Sequence, residues 1–183
     1  MLMFKAREVF GEATARPSVA RLRGAEAFPF HRHDFPEVFW VSEGRGVHRV
    51  NGTEHGLEPG SLVWMRAADA HGFVSDAEGV VVNNVALEPR WFAGFRRRHF
   101  AGDKEFWSGA AESPAHVRLA SAQVARLANE LSELGLSGGG GRAAERFLLN
   151  LLHVCAAEPL GGGARTVPAW LEPALRVWAE PAE

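Results

Sequence analysis

The chain has 183 residues, 46% hydrophobic and 23% charged, an ordinary balance for a soluble globular domain with one sizeable core. Its formal net charge of −2 offers no whole-chain attraction for phosphate, so nucleic acid is not an evident partner of the chain as a whole. No apolar run approaches transmembrane length, and the opening MLMFKAREVF meets charged residues too soon for a signal peptide. The single cysteine, Cys155, excludes an internal disulfide, fits a reducing cytoplasm and reads as a small buried hydrophobe.

From about Ser18 to Glu88 the sequence reads as short strands punctuated by turns. The first distinctive stretch is FPFHRHDFPEVFWVSEGRG, Phe28 to Gly46. Residues two apart in a strand share a face, so His31 and His33 point together. Glu37 keeps that parity if Pro36 leaves the strand undisturbed; Phe39 and Val41 then share its interior face, with Val38 and Trp40 on the other. Asn51-Gly52 predicts a tight hairpin, and the flanking His48 and His55 are expected at the surface. Pro59-Gly60 marks the next turn, and GVVVNNVAL, Gly79 to Leu87, is a further strand. Strands separated by turns at such short intervals predict a β-sandwich or barrel.

The second half changes character. FRRRHF, residues 95–100, reads as a solvated helix face rather than a phosphate site; alternatively, the same segment together with FAGDKEFW covers one end of the barrel. SAQVARLANELSELG predicts a helix over Ala122–Leu134 with Ser121 as N-cap, and Gly135 as its end. SGGGG, residues 137–141, reads as a flexible link. Arg142–Ala156 predicts a second helix whose stripe of Phe147, Leu148, Leu151, Leu152 and Cys155 is widened by Leu149 and Val154. So broad an apolar surface predicts partners on two sides, the barrel on one and a second protomer on the other; the alternative is that the helices only cap the barrel. TVPAWLEPALRVWAEPAE then predicts a third helix, with Pro168 suited to its first turn and Pro173 bending or shortening it. His99, His116 and His153 receive no role.

Two imidazoles and a carboxylate within seven positions suit a divalent transition metal, but a fourth ligand from elsewhere is needed. The same residues also fit a metal-free polar pocket, or a hydrogen-bonded histidine pair on a strand.

Here the residues resemble the cupin family. In HRHDFPEVFWVSEG, the spacing of His31, His33, Glu37 and Gly44 matches the first cupin motif, with Gly24 one residue early. GSLVWMRAADAHGFVS supplies Gly60 and His71 of the second motif; Arg66, Ala68 and Ser75 replace its usual proline, glycine and asparagine. The resemblance implies a mainly β fold with an α-helical C-terminal part: a cupin double-stranded β-helix, or jelly-roll barrel, followed by helices. It also implies that His31, His33, Glu37 and His71 converge inside the barrel and can hold Zn, Ni, Fe or Mn.

The order of barrel, helical pair and VPAWLEPALRVW further resembles the amino-terminal sensor part of AraC-type transcription regulators, most closely the chitobiose-operon regulator branch. That resemblance implies a barrel sensor over 1–107, a helical pair and dimerisation element over 108–160, and a linker with the start of a truncated DNA-binding domain over 161–183. The expected partners are a small-molecule effector of the saccharide type and a second copy of the chain. DNA would be met only through a carboxy-terminal domain that this chain does not carry, and no membrane partner is expected. Phe39, Trp64 and Phe73 are candidates for stacking on a sugar, with core packing the alternative for each one singly, and Asn83 or Asn84 for amide hydrogen bonds, depending on strand phase. The alternative is a small metal-dependent cupin enzyme, a dioxygenase or isomerase, although no second acid–base pair stands out.

Overall fold

The computed structural model describes residues 1–67, 69–99 and 114–156. Its elements, in chain order, are β1 (Leu2–Phe4), α1 (Ala6–Val9), β2 (Ala15–Leu22), β3 (Ala27–His33), β4 (Glu37–Val50), β5 (Thr53–Leu57), β6 (Ser61–Met65), β7 (Ala70–Leu87), α2 (Pro89–His99), β8 (Ala115–Arg118), α3 (Ser121–Leu136) and α4 (Gly141–Ala156). The predicted β barrel followed by helices is the architecture found. Ala68, the segment FAGDKEFW, and Pro168 and Pro173 of the third expected helix lie outside the described residues.

Two long strands organise the sheet. β4 and β7 pair with each other antiparallel along most of their length, and the order runs β1-β3-β7-β4-β6-β8, with β2 on β7 and β5 on β4. Both long strands change phase at glycines. In β4 the register slips between Val41 and Glu43 and again between Gly44 and Gly46. Gly44 sits at φ +74, and a Cβ there would lie 2.0 Å from the Gly79 carbonyl oxygen, so only glycine fits this crossing. The inward residues are therefore odd-numbered before the slip (Glu37, Phe39, Val41) and even-numbered after it (His48, Val50).

The Asn51-Gly52 turn has positive φ at both residues, 48 and 86, as a type I′ hairpin requires. Inside the barrel Phe39, Val41, Val50, Leu57, Val63, Met65, Phe73, Val80 and Val82 form one apolar cluster. The opposite face of the sheet, with Val38, Trp40, Leu62, Trp64 and Val85, packs on Phe92 and Phe95 of α2 and on the apolar stripes of α3 and α4.

Three local expectations are corrected. The residue before α3 is Ala120, whose backbone N–H donates to the Gln123 side chain at 2.7 Å; Ser121 is already helical. The helix runs on to Leu136 rather than stopping at Gly135. The glycine run after it is a built turn rather than a flexible link. The Gly139 carbonyl accepts the N–H groups of Thr14 and Ala15, and a Cβ on Gly139 would meet the Ala15 oxygen at 2.0 Å.

Candidate functional site in the barrel

His31 and His33 project inward from β3, but the chain bends at Asp34 and Phe35, and Glu37 comes from β4 instead. The two strands are not paired in the sheet: β7 lies between them and sets His71 opposite His31. Three strands thus bring His31, His33, His71 and Glu37 to one place, where all four are buried.

The carboxylate is the centre of the group. Glu37 Oε1 lies 3.2 Å from His71 Nε2 and 3.5 Å from His33 Nε2, while its Oε2 accepts a hydrogen bond from Asn84 Nδ2 at 3.1 Å. Each histidine is tethered on its other nitrogen. His31 Nδ1 donates to the Pro29 carbonyl at 2.8 Å, and His33 Nδ1 donates to that of Phe35. His71 Nδ1 shares a proton with His48 Nε2 at 3.2 Å. Anchoring through Nδ1 turns the remaining nitrogens toward one another, as outer contacts of metal-binding histidines do.

Charge follows from burial and neighbours. Burial raises the cost of ionising Glu37, but His33, His71 and the Asn84 amide outweigh it and hold the carboxyl at about 2. Burial opposes protonation of His33 as well, yet contact with Glu37 raises its pKa above the ordinary value. Burial lowers His31, brings His71 down to about 3 and His48 to about 2, so these three are neutral at physiological pH. The same cause, helped by nearby His55, brings His116 to about 4.

These residues fit a metal ion. The ligating nitrogens of His31, His33 and His71 lie within 4.8 Å of one another. Donors bound to one transition ion at about 2.1 Å sit roughly 3–3.5 Å apart, the spacing seen between Glu37 and its two histidines. His33 Nε2 and His71 Nε2 are buried without a hydrogen bond of good geometry, which is what a cation would satisfy.

A cavity of about 500 Å³ opens beside this cluster. Its walls include Phe4 and Val9 from the N-terminal segment, Phe28, Phe35, Phe39 and Phe73 from the barrel, and Asn84. Phe39 and Phe73 thus both line this cavity. Strand phase separates the two asparagines: Asn84 is paired with Phe39 and faces in, whereas Asn83 is paired with Trp40 and donates to Ser42 Oγ at 2.9 Å. Trp64 is also corrected. It pairs with Val38 on the helix-facing side, so its ring joins the outer core and not this cavity.

His48 is the residue the sequence reading misplaced. It is 0% exposed, and its ring packs at 5.2 Å from Phe73 and 5.0 Å from Phe39. The phase slip at Gly44 was the signal that could have found it. His116, given no role from sequence, stands on β8 with its ring 4.4 Å from His55 and 6.2 Å from His48. Cys155 is pushed up to about 12 by burial, which leaves an inert thiol.

Residues 18–148 match the family described as the AraC-like ligand binding domain. The HTH-type transcriptional activator RhaS of Yersinia pestis (strain Pestoides F) is 32% identical over 92 residues, 50% of this chain and 34% of that protein. The activator of the same name from Yersinia pseudotuberculosis serotype O:1b matches with the same identity and coverage. The chain therefore spans about a third of the length of the curated relatives it matches. Among solved structures, ToxT of Vibrio cholerae O395, bound to (E)-4-(8-methylnaphthalen-1-yl)but-3-enoic acid, has the same fold. It gives a TM-score of 0.57 at 11% identity, over 76% of this chain and 55% of that one. A second ToxT structure from Vibrio cholerae gives 0.56 at 10% identity. No described helix is long and apolar enough to cross a membrane.

Proposed function

The chain belongs to the AraC-like ligand-binding domain family, and from that premise we propose that its barrel senses a small polyhydroxylated metabolite of the saccharide class. One observation carries the reading: an ionised, buried carboxylate, Glu37, stands beside the Asn84 amide at the wall of an aromatic-lined cavity of about 500 Å³. Such a volume suits a small ligand. A carboxylate and neutral imidazole nitrogens accept hydrogen bonds from hydroxyl groups, and the faces of Phe39 and Phe73 suit the apolar side of a sugar ring.

ToxT is bound to an aromatic butenoic acid in one structure and to an unsaturated fatty acid in another. A carboxylate head fits this barrel less well. Glu37 repels it, and Arg16, which also lines the cavity, is engaged by the carbonyls of Val9 and Phe10.

His31, His33, Glu37 and His71 are the residues that would hold Zn, Ni, Fe or Mn, and such an ion would polarise ligand oxygens as a Lewis acid. β4 connects the pocket to the helices. Glu37 and Phe39 face the ligand, while Trp40, the residue after Phe39 on the opposite face of the strand, stacks on Phe147 of α4 with ring centres 6.3 Å apart. Ligand binding that favours one setting of β4 would bias the helices, and hence any DNA-reading module of the regulator outside this chain. The helical pair is the proposed homodimer surface, with Leu136 on α3 86% exposed.

A thermal-shift screen of mono- and disaccharides, with and without Zn²⁺, tests the reading. It predicts a stabilising sugar whose effect is lost in Glu37→Gln and Asn84→Ala. Stabilisation by fatty or aromatic acids and by no sugar would overturn the ligand class. Turnover of a substrate by metal-loaded protein, lost in His71→Ala, would favour the cupin-enzyme reading that the histidine cluster also permits.

A further inference from the structure

A second group of imidazoles lies beyond His48. The hairpin register places His55 directly opposite His48, and the pairing of β8 on β6 places His116 opposite Val63, a residue of the interior cluster. The β4–β5 hairpin and the sequence-distant β8 thus gather His48, His55 and His116, with ring centres 4.4 Å apart for His55 and His116. We propose that His55 and His116 form an outer site for a divalent transition cation such as Zn²⁺ or Ni²⁺, held by two imidazoles and completed by water.

Two observations apart from proximity support it. Thr53 Oγ1 donates to the Val50 carbonyl at 2.8 Å, so toward His55 Nε2, at 3.2 Å, it acts as the acceptor. His55 then carries its proton on Nε2 and keeps a lone pair on Nδ1, the form that binds metal. His116 Nε2 is buried with no hydrogen-bond partner, a costly arrangement that a cation on that ring would relieve. Both residues are half-buried rather than sealed, which leaves water and ions a route to the pair. Imidazole nitrogens select zinc, nickel and copper over magnesium and calcium.

The outer pair shares no ligand with His31, His33 and His71. Among the described residues only those three bring three such donors within 4.8 Å, so the two-imidazole site binds more weakly than the inner one. The proposal does not depend on metal occupying the inner cluster.

Zn²⁺ titration of the full chain, followed by calorimetry and by the ring-nitrogen resonances of the histidines, tests it. The His55 and His116 rings should shift together as zinc is added. His55→Ala should remove one zinc per chain relative to the parent, with its melting temperature unchanged because the ring is half-exposed. His116→Ala should remove the same equivalent, and a His31→Ala/His33→Ala chain should retain it. If His55→Ala takes up as much zinc as the parent, or neither ring responds at millimolar Zn²⁺, the site does not exist. Where the inner-site double variant fails to fold, the single His55→Ala comparison decides alone.

Discussion

The two faces of β4 show what different work one strand can do. Val38 and Trp40 lie in an outer core of hydrophobic side chains supplied by the sheet and the helices. Glu37, one position before Val38, turns the other way onto His33, His71 and Asn84, with His48 behind His71. The outer face is cheap to bury and specifies the docking of α4. The inner face is expensive to bury, and its arrangement is explained by what it can bind rather than by what it stabilises.

The largest expected effect comes from the outer face. Trp40→Ala should cost about 3–5 kcal/mol of stability by opening a cavity against Phe147, measured by denaturant unfolding. Glu37→Gln should cost under about 2 kcal/mol, because His33 can shed its proton when its partner is neutralised. Equal losses from the two would erase the distinction between the faces.

The inner face should show its effect in binding. Glu37→Gln should weaken zinc or nickel binding at the inner cluster by about 10–100-fold, read by calorimetry. A smaller change is expected one contact further out. His48→Leu leaves His71 Nδ1 without a partner and should weaken the inner site by about tenfold, while His48→Gln, which keeps an acceptor, should recover much of it. Equal affinities for the Leu and Gln variants would show that His48 fills space and does not orient His71.

Acid should separate the faces too. His31, His48, His71 and His116 all have pKa values lowered by burial, so between pH 6.5 and about 4 the unfolded chain binds protons the folded chain refuses. Their contribution is present above pH 6.5 and is lost as pH falls. Glu37, held at about 2, adds a loss below its ordinary 4.5. His33 runs the other way: its contribution is full below 6.5 and is lost as pH rises through its raised value. Four groups against one give a melting temperature that falls from pH 7 to pH 5. His48→Leu should flatten that fall, and an unchanged slope would contradict the assignment.

Most of this was legible in the residues. The alternation at His31, His33, Phe39 and Trp40 predicted which side chains face in, and Asn51-Gly52 fixed the hairpin. The misplacement of His48 has a clear physical origin. Period-two reasoning carries phase along a strand only until a bulge, and the slips around Gly44 and Gly46 invert it. His48 consequently looked like a surface residue beside a turn. Asn83 and Asn84 could not be told apart because both their neighbours are β-branched, and Trp64 was read as a ring for a ligand when its partner Val38 was already on the outer face. His116 needed the pairing of β8 with β6, a contact between segments more than fifty positions apart that no local pattern encodes.

The central claim is that the inner face of β4 and its neighbours form the effector pocket. The most direct test is an NMR titration with the saccharide that most stabilises the chain, following the Asn84 side-chain amide and the ring resonances of His33 and His71. Those signals should shift first and saturate with the calorimetric affinity, and the Glu37→Gln protein should show neither. A saturating ligand that leaves them unmoved while shifting residues elsewhere would place the effector outside the barrel and contradict the account.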